Sequence, residues 1–440
     1  MAKYSTLTLG EKIRQIRQSK GLSIENMAIA ISSSIPSISR FERNELEFGA
    51  DMIIAIKKFL DIEKAPLFAH ELTLYRDRIW VWNELLDTGR MDEARAMQEE
   101  MAIILNLPFE HDLYLLYLVT EAMLLSKEYN IPATEEKLKI VEGLLDNASD
   151  GALNLYHRNK GFICLVAGDM KSGIKHSIKA VEHAEADKKT DTSALNNIGQ
   201  AYIVLGKPYH AIIYIERARA QFTGDLTHKR PGHMTQALAM CYTLVGEYRK
   251  AEKLVELSLM QAKSTNASSQ IAQALTIMAS LKLKSKKYDE CLVLCDEGLP
   301  YYNGDKEMYV SLLTTKAECL LRMKKYKECQ EILNHGRAVL QEGEKKMGKT
   351  TTNSDILEIA FSTFEHQMTL DNDESVNYIQ NVAIPHFIKA GGKTKLTAIG
   401  LCHILESHFI KKRAKTKANA IAVISRDIYK EMFMVEEEYD

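Results

Sequence analysis

The sequence predicts an all-α protein: a group of short helices at the N-terminus, followed by a long stack of helical hairpins. Three observations carry that expectation. Small, aromatic and turn residues recur together every 38 to 40 residues through the middle of the chain. The first sixty residues lack that recurrence and break instead into short apolar-patterned segments. The 440 residues include only 22 glycines and 8 prolines, few enough for a mostly helical chain.

Five helices are expected at the N-terminus: Leu9–Ser19, Ile24–Ile31, Ile35–Phe41, Ala50–Phe59, and a lead-out from about Ala65. Ser23 is placed to cap the second, whose Met27, Ala28 and Ile31 turn inward. Ser32, Ser33 and Ser34 make a polar turn. In the third helix Ile38 and Phe41 are spaced to bury, which leaves Ile35, Pro36, Ser37 and Arg40 outside. Residues 7–62 resemble the helix-turn-helix of phage repressors and xenobiotic-response-element regulators. The resemblance implies that Ile35–Phe41 is a recognition helix for the major groove of double-stranded DNA. It makes Arg40 the base reader, because a guanidinium pairs with guanine in two places. Ser34, Pro36 and Ser37 would touch the backbone or a thymine methyl, with Ile35 on the same outward face. Arg43 and Asn44 would hold phosphate. The same resemblance pairs Arg17 with Glu42 as an architectural contact. Two features depart from it: Asn44 stands where a glycine is usual, and Pro36 lies near the start of the helix, where the first turn tolerates it. Met1–Lys64 carries ten basic and eight acidic residues. One copy should therefore hold DNA weakly, and two copies on a palindromic operator are expected.

From Asp61 to Tyr75 the chain has no Gly/Ser tether, so 1–64 is read as the DNA-binding domain, 65–76 as a linker helix and 77–440 as repeats. The repeat is clearest in SALNNIGQAYIVLGKPYHAIIYIERA, Ser193–Ala218. Its second helix opens on a small residue that recurs as Gly173, Ala211, Ala251, Cys291 and Cys329. Three residues earlier stand Met170, Pro208, Tyr248, Tyr288 and Tyr326; five earlier, Gly168, Gly206, Gly246, Lys286 and Lys324; twelve earlier, Gly161, Gly199, Ala239, Ala279 and Ala317. Small residues facing each other let two helix axes approach closely, and such a pair buries its apolar face only by stacking on neighbours. The pattern resembles the tetratricopeptide repeat with lengthened loops, and implies a right-handed superhelix. Weaker copies extend it. Gly89, Met91 and Ala94 open one, Leu113–Leu125 pairs with Thr134–Leu145, Ile356–Leu370 with Ser375–Lys389, and Leu396–Ile410 with Ala418–Met432, making about nine hairpins. Gln341–Ser354 is expected as a polar loop and Glu436–Asp440 as a frayed acidic tail.

Composition excludes several classes. A net charge of −2 with 26% charged residues leaves no global field, so any DNA contact is local. Seven scattered cysteines, two of them in the small-residue slot, point to a reducing cytoplasm rather than disulfides. Cys291 and Cys295 share a helix face but lack a histidine pair, so no metal is expected. Met1–Gly10 does not read as a signal peptide. The longest apolar run, Leu113–Leu125, contains Thr120 and Glu121 and falls short of the ~20 residues a membrane span needs. No phosphate loop, HExxH, GxSxG or dinucleotide fingerprint is present, so neither an enzyme nor a cofactor is expected. His403 and His408 read as surface or packing residues.

Helix geometry nominates a ligand-facing stripe. The residue two before each packing glycine or alanine lies ~200° around the axis and points towards the inner channel of the stack. These residues are Asn159, Asn197, Ala237, Ile277 and Thr315, with Arg158, Asn196, Gln200, His233, Gln236, Met240, Gln273, Thr276, Ser280 and Glu318 alongside. A side-chain amide both donates to and accepts from peptide backbone, so a ladder of amides suits an extended short peptide. The competing reading makes them surface or helix-helix hydrogen bonders. A repressor-type reader ahead of about nine such repeats resembles the RRNPP quorum-sensing regulators, nearest the NprR-like branch. Val382–Tyr429, with Pro385 inside a helix, looks like the last two repeats of that group. The resemblance implies a cytoplasmic regulator that binds an imported linear peptide, works as a homodimer or a higher oligomer with peptide, and has no membrane partner. The rival expectation is a scaffold that sequesters a phosphorelay response regulator.

Overall fold

A computed structural model of the protein describes residues 7–107, 110–222, 229–264, 266–302, 306–347, 352–392 and 394–433. The acidic tail from Glu436 lies outside the described residues, as does part of the expected polar loop. Every regular element among the described residues is helical.

The N-terminal head consists of α1 (Leu9–Ser19), α2 (Ile24–Ala30), α3 (Ile35–Glu42) and α4 (Ala50–Phe59). Side chains start the first three: Thr8 and Glu11 form a reciprocal capping box, Ser23 accepts from the Asn26 amide, and Ser34 from the Ser37 amide. Ile13, Ile16, Met27, Ile38, Phe41, Ile56 and Leu60 fill the space between the helices. One contact was not foreseen. A Cβ on Gly10 would lie 2.0 Å from the Phe41 carbonyl oxygen, so α1 crosses α3 backbone against backbone.

The fifth helix corrects the expected linker. α5 runs unbroken from Ala69 to Asp87, so the boundary drawn at 76/77 falls inside it. Glu71 accepts from the amides of Leu67 and Phe68 and fixes its start, and Gly89 at φ 72° ends the hairpin turn after it. No glycine or proline lies between. The helix therefore serves as both lead-out and first helix of the first hairpin. Lys12 of α1 binds Glu110 at 2.5 Å and the Leu67 carbonyl at 3.1 Å, and Leu107 belongs to the head's core. The head is fastened to the start of α5 and to the connection between the first two hairpins, not tethered to them.

Nine hairpins follow: α5 with α6 (Met91–Met101), α7 (His111–Lys127) with α8 (Ile131–Glu142), α9 (Asp150–Val166) with α10 (Met170–Ala186), α11 (Thr192–Val204) with α12 (Pro208–Arg219), α13 (Lys229–Leu244) with α14 (Tyr248–Ser264), α15 (Ser268–Lys284) with α16 (Tyr288–Gly298), α17 (Lys306–Arg322) with α18 (Tyr326–Met347), α19 (Thr352–Met368) with α20 (Asp373–Tyr378) and α21 (Ile384–Ala390), and α22 (Thr394–Lys411) with α23 (Lys415–Phe433). Packing divides the chain into two compact units, 1–197 and 198–440. Inside each unit successive first helices lie side by side, as α5, α7 and α9 do in one and α13, α15, α17 and α19 in the other. They form one wall of the stack and the second helices the other.

The small-residue slot works by close approach. A Cβ on Gly161 would meet Ser177 Oγ at 2.4 Å and the Gly173 carbonyl at 3.1 Å, and one on Gly199 would meet Ile215 at 2.3 Å. Ala239, Ala251, Ala279, Cys291, Ala317 and Cys329 are fully buried at the same positions. Each hairpin then turns through a left-handed residue: Gly168, Gly206, Gly246, Lys286 and Lys324 have φ of 86°, 72°, 84°, 61° and 61°. The recurring Gly/Lys position in the sequence is thus a backbone requirement. Two details differ from expectation near the end. α18 continues to Met347 through the segment expected as loop, because Glu and Lys favour helix. A single π-turn at Ile379–Ala383 precedes Pro385; the widened turn accommodates the missing N–H that would break a regular helix.

The second unit closes on itself. Gly392, at φ 53°, sits so that a Cβ would lie 1.9 Å from the Val204 carbonyl, while one on Gly206 would lie 2.7 Å from the Gly392 carbonyl. Tyr209 meets Phe433 edge-on, with ring centroids 6.0 Å apart. The turn after α11 therefore rests on the last hairpin.

Candidate DNA-reading helix and inner wall

The reading helix is held rigidly from behind. Arg17 donates from Nε to Glu42 Oε1 at 2.7 Å, from Nη2 to Oε2 at 2.8 Å, and from Nη1 to the Leu22 carbonyl at 2.7 Å. The pair is buried and bidentate, and it ties α1 to the end of α3 and to the loop before α2. On the outer side Ile35 is 45% exposed, and Ser34, Pro36 and Arg40 are exposed too. Ser34 and Ser37 bond each other through their hydroxyls at 2.8 Å, so the cap occupies them. The Arg40 side chain has no ion pair or hydrogen bond among the described residues. Arg43 does: it holds Glu45 at 3.0 Å through both Nε and Nη2, which sets a local acid against its expected phosphate contact. Asn44 takes φ 62°, a conformation asparagine tolerates better than most residues, and so replaces the usual glycine.

On the inner wall of the first unit the stripe divides. Asn196 and Asn197 are half-buried. Asn159, expected to face the channel, is 1% exposed, and its Nδ2 donates to Asn83 Oδ1 at 3.0 Å and to the Val119 carbonyl at 3.5 Å. Neighbouring first helices pack flank to flank, so this position falls on the seam between them. Asn83 is the hub that sequence reading missed. It donates to Thr120 Oγ1 at 2.6 Å and to the Ile79 carbonyl at 3.0 Å, and it accepts from Asn159 and from Arg158 Nη2, the latter at 3.1 Å. Its sequence signal, a lone amide within the largely apolar run Ile79–Leu86, falls where the repeat is weakest. Asn197 Nδ2 reaches the Arg158 carbonyl at 3.4 Å, and Asn196 Oδ1 is sealed without a partner.

The second unit repeats the correction. Gln236 is buried and donates to the Gln270 carbonyl at 2.9 Å, again across the seam, while its Oε1 has no partner. Gln200, Met240 and Gln273 are half-buried, and His233 is exposed with Nε2 3.5 Å from Gln270 Nε2. Thr276 bonds its own helix and the Tyr302 hydroxyl at 2.8 Å, and Glu318 accepts from Arg322 at 3.2 Å. All seven cysteines are unpaired. No helix among the described residues is long and apolar enough to cross a membrane.

This arrangement of hairpins is a tetratricopeptide-like fold. A scan of protein-family models finds no match, and neither does a search of curated proteins. Solved structures do match. The apo form of the quorum sensor NprR from B. thuringiensis is 18% identical with a TM-score of 0.64, covering 80% of this chain and 98% of that one. A Rap protein complexed with Competence and Sporulation Factor is 16% identical with a TM-score of 0.63, covering 82% and 99%. NprR in complex with its cognate peptide NprX is 18% identical with a TM-score of 0.60, covering 81% and 99%. The chain shares its fold with these proteins.

Proposed function

We propose that the protein is a DNA-binding transcription regulator of the RRNPP type whose repeats receive a short linear signalling peptide. One observation carries the reading: an outward helix whose Arg40 is unpaired is fastened, through Lys12 and Glu110, to a stack that shares its fold with NprR, a protein crystallised around its peptide. Residues 1–64 act as the reader and the hairpins from α5 onward, beginning at Ala69, as the receptor. In the first unit Arg158, Asn196 and Asn197 are the wall groups that meet peptide; in the second they are Gln200, His233, Met240, Gln273, Thr276 and Glu318. Asn159 and Gln236 support them from the seam. The regulator works in the cytoplasm as a homodimer on a palindromic operator, and peptide alters its assembly or its grip on DNA.

The test is selection of double-stranded DNA from a random library by the full-length protein. Arg40→Ala should lose ~1–3 kcal/mol at one base pair per half-site, whereas Arg43→Ala should weaken all sequences slightly and alike. Unchanged selection by Arg40→Ala would remove the reader assignment. A second reading, which the family resemblance implies and the fold shared with Rap keeps open, is a scaffold for a response regulator. It predicts that phosphotransfer through such a partner changes when the protein is added without DNA.

A further inference from the structure

Four lysine or arginine side chains are buried among the described residues: Lys12, Arg17, Lys57 and Arg158. Three of them face a carboxylate. Lys12 has Glu110 at 2.5 Å, Arg17 has Glu42 at 2.7 Å, and Lys57 has Glu71 at 3.7 Å. Arg158, 8% exposed, has none. Removing a cation from water without a counter-ion is costly, and chains normally avoid it.

What surrounds Arg158 orients it and leaves it charged. Nη2 donates to Asn83 Oδ1 at 3.1 Å and Nε to Asn159 Oδ1 at 3.4 Å, while the Trp80 ring lies 5.5 Å from Cζ. Asn83 cannot turn its amide round, because its Nδ2 is committed to Thr120 and to the Ile79 carbonyl. Nη1 has no hydrogen-bond partner among the described residues. Trp80 and Asn197, which contact Arg158 through its guanidinium and its carbonyl, are only half-buried. Neutral amides thus hold a guanidinium in place with one edge uncommitted, which is the geometry of a prepared anion socket.

We propose that Arg158 is the receptor for a carboxylate of the bound peptide, either an Asp or Glu side chain or the C-terminus. This rests on the peptide-receptor reading above and adds the chemistry of one contact. The experiment applies the purified full-length protein to an array of synthetic short peptides. Each is made with a free or an amidated C-terminus, and with its Asp and Glu residues or the corresponding amides. For peptides that bind, loss of one kind of carboxylate should weaken binding about tenfold or more, and the sensitive form identifies its source. Arg158→Gln should erase that difference. Asn83→Asp, which supplies an internal counter-ion at the loss of the two Nδ2 bonds, should also erase it, an effect that a merely structural Arg158 would not produce. Equal binding of all forms, or a preference for carboxylate that survives both substitutions, overturns the socket while leaving the peptide receptor standing. Absence of binding by any peptide overturns the receptor reading, and the socket with it.

Discussion

The two units use the same hairpin and both bond across the seam, through Asn159 in one and Gln236 in the other, but their densest fastenings differ. In the first, side-chain amides and a guanidinium knit α5, α7 and α9 together through Asn83. In the second, the corresponding stripe holds Ala237, Ile277 and Thr315, and the tightest contact is made where side chains are missing, between the Val204–Gly206 turn and Gly392. A repeat position therefore determines where a residue points, and its neighbours decide whether it becomes a bond, a contact or a surface. Variants that damage one fastening should leave the other intact.

The largest effect is expected at the glycine contact. Gly392→Val drives a Cβ to 1.9 Å from the Val204 carbonyl and also forces a β-branched residue to φ 53°. Both faults are backbone conflicts that no rotamer relieves, so a loss of about 4 kcal/mol or more is expected in urea unfolding. Hydrogen exchange should rise around Val204–Tyr209 and the end of α23 while the amides of α7 and α9 stay protected. Loss of protection in α7 would show that the units do not fail separately.

Next comes the amide hub. Asn83→Ala removes two donors and one shared acceptor, leaving Thr120, Asn159 and the buried Arg158 short of partners. A cost of about 3 kcal/mol follows from stranding buried polar groups. Exchange should now increase in α5, α7 and α9, with the second unit unchanged. A loss below about 1 kcal/mol would mean that water replaces the hub.

The first unit should also be the more sensitive to acid at one identifiable place. His157 is buried against His176, with ring nitrogens 2.9 Å apart, and stacks on His183. Burial first, then the neighbouring His176, Lys179 and His183, lower its pKa from 6.5 to about 3. The folded protein therefore keeps it neutral while the unfolded chain takes up a proton below pH 6.5. Stability from this group is complete above pH 6.5 and declines as the pH falls, by about 2 kcal/mol at pH 5. His157→Asn should flatten that slope in melting curves between pH 7 and 5. An unchanged slope would assign it to the other histidines with lowered pKa, His176, His210 and His408. The buried thiols of the second unit run the other way. Cys241 and Cys319 are raised to about 12, chiefly by burial, so their contribution is complete below pH 9 and falls only above it.

Local chemistry was the most legible part of the sequence. Ser23 caps α2 as its spacing required, because a cap involves only residues three apart; the caps at Thr8 and Ser34 were not read but obey the same local rule. The Gly/Lys turn series mapped one to one onto left-handed residues for the same reason. What depended on a second helix was harder to see. The ~200° rule gave Asn159 a direction and placed Gln236 alongside Ala237 on the same stripe, but only the flank of the next first helix made that direction a seam. Asn83 lay in a hairpin whose Trp82 fills the small-residue slot, so the repeat pattern never aligned it. Residues 69–76 of the expected linker merged into α5 because nothing from Ala69 to Asp87 stops a helix, while Pro66 keeps the residues before Ala69 outside it.

The smallest effect, and the only favourable one, concerns the turns of the second unit. Gly206 and Gly246 occupy the left-handed turn at little steric cost, but Lys286 takes φ 61° in the same role. For an L-residue that conformation costs about 1–2 kcal/mol, through contact between Cβ and the following carbonyl. Lys286 is exposed, and no hydrogen bond or ion pair of its side chain holds it there among the described residues. Lys286→Gly relieves the contact but also gives the unfolded chain more freedom, which takes back about 0.5–1 kcal/mol. A net gain of about 0.5 kcal/mol is expected, read as a shift in urea midpoint at unchanged slope. Lys286→Ala keeps the Cβ and should gain nothing. If Ala and Gly stabilise equally, the benefit comes from deleting a charge near Lys284 and Lys287, and the backbone at this turn carries no strain.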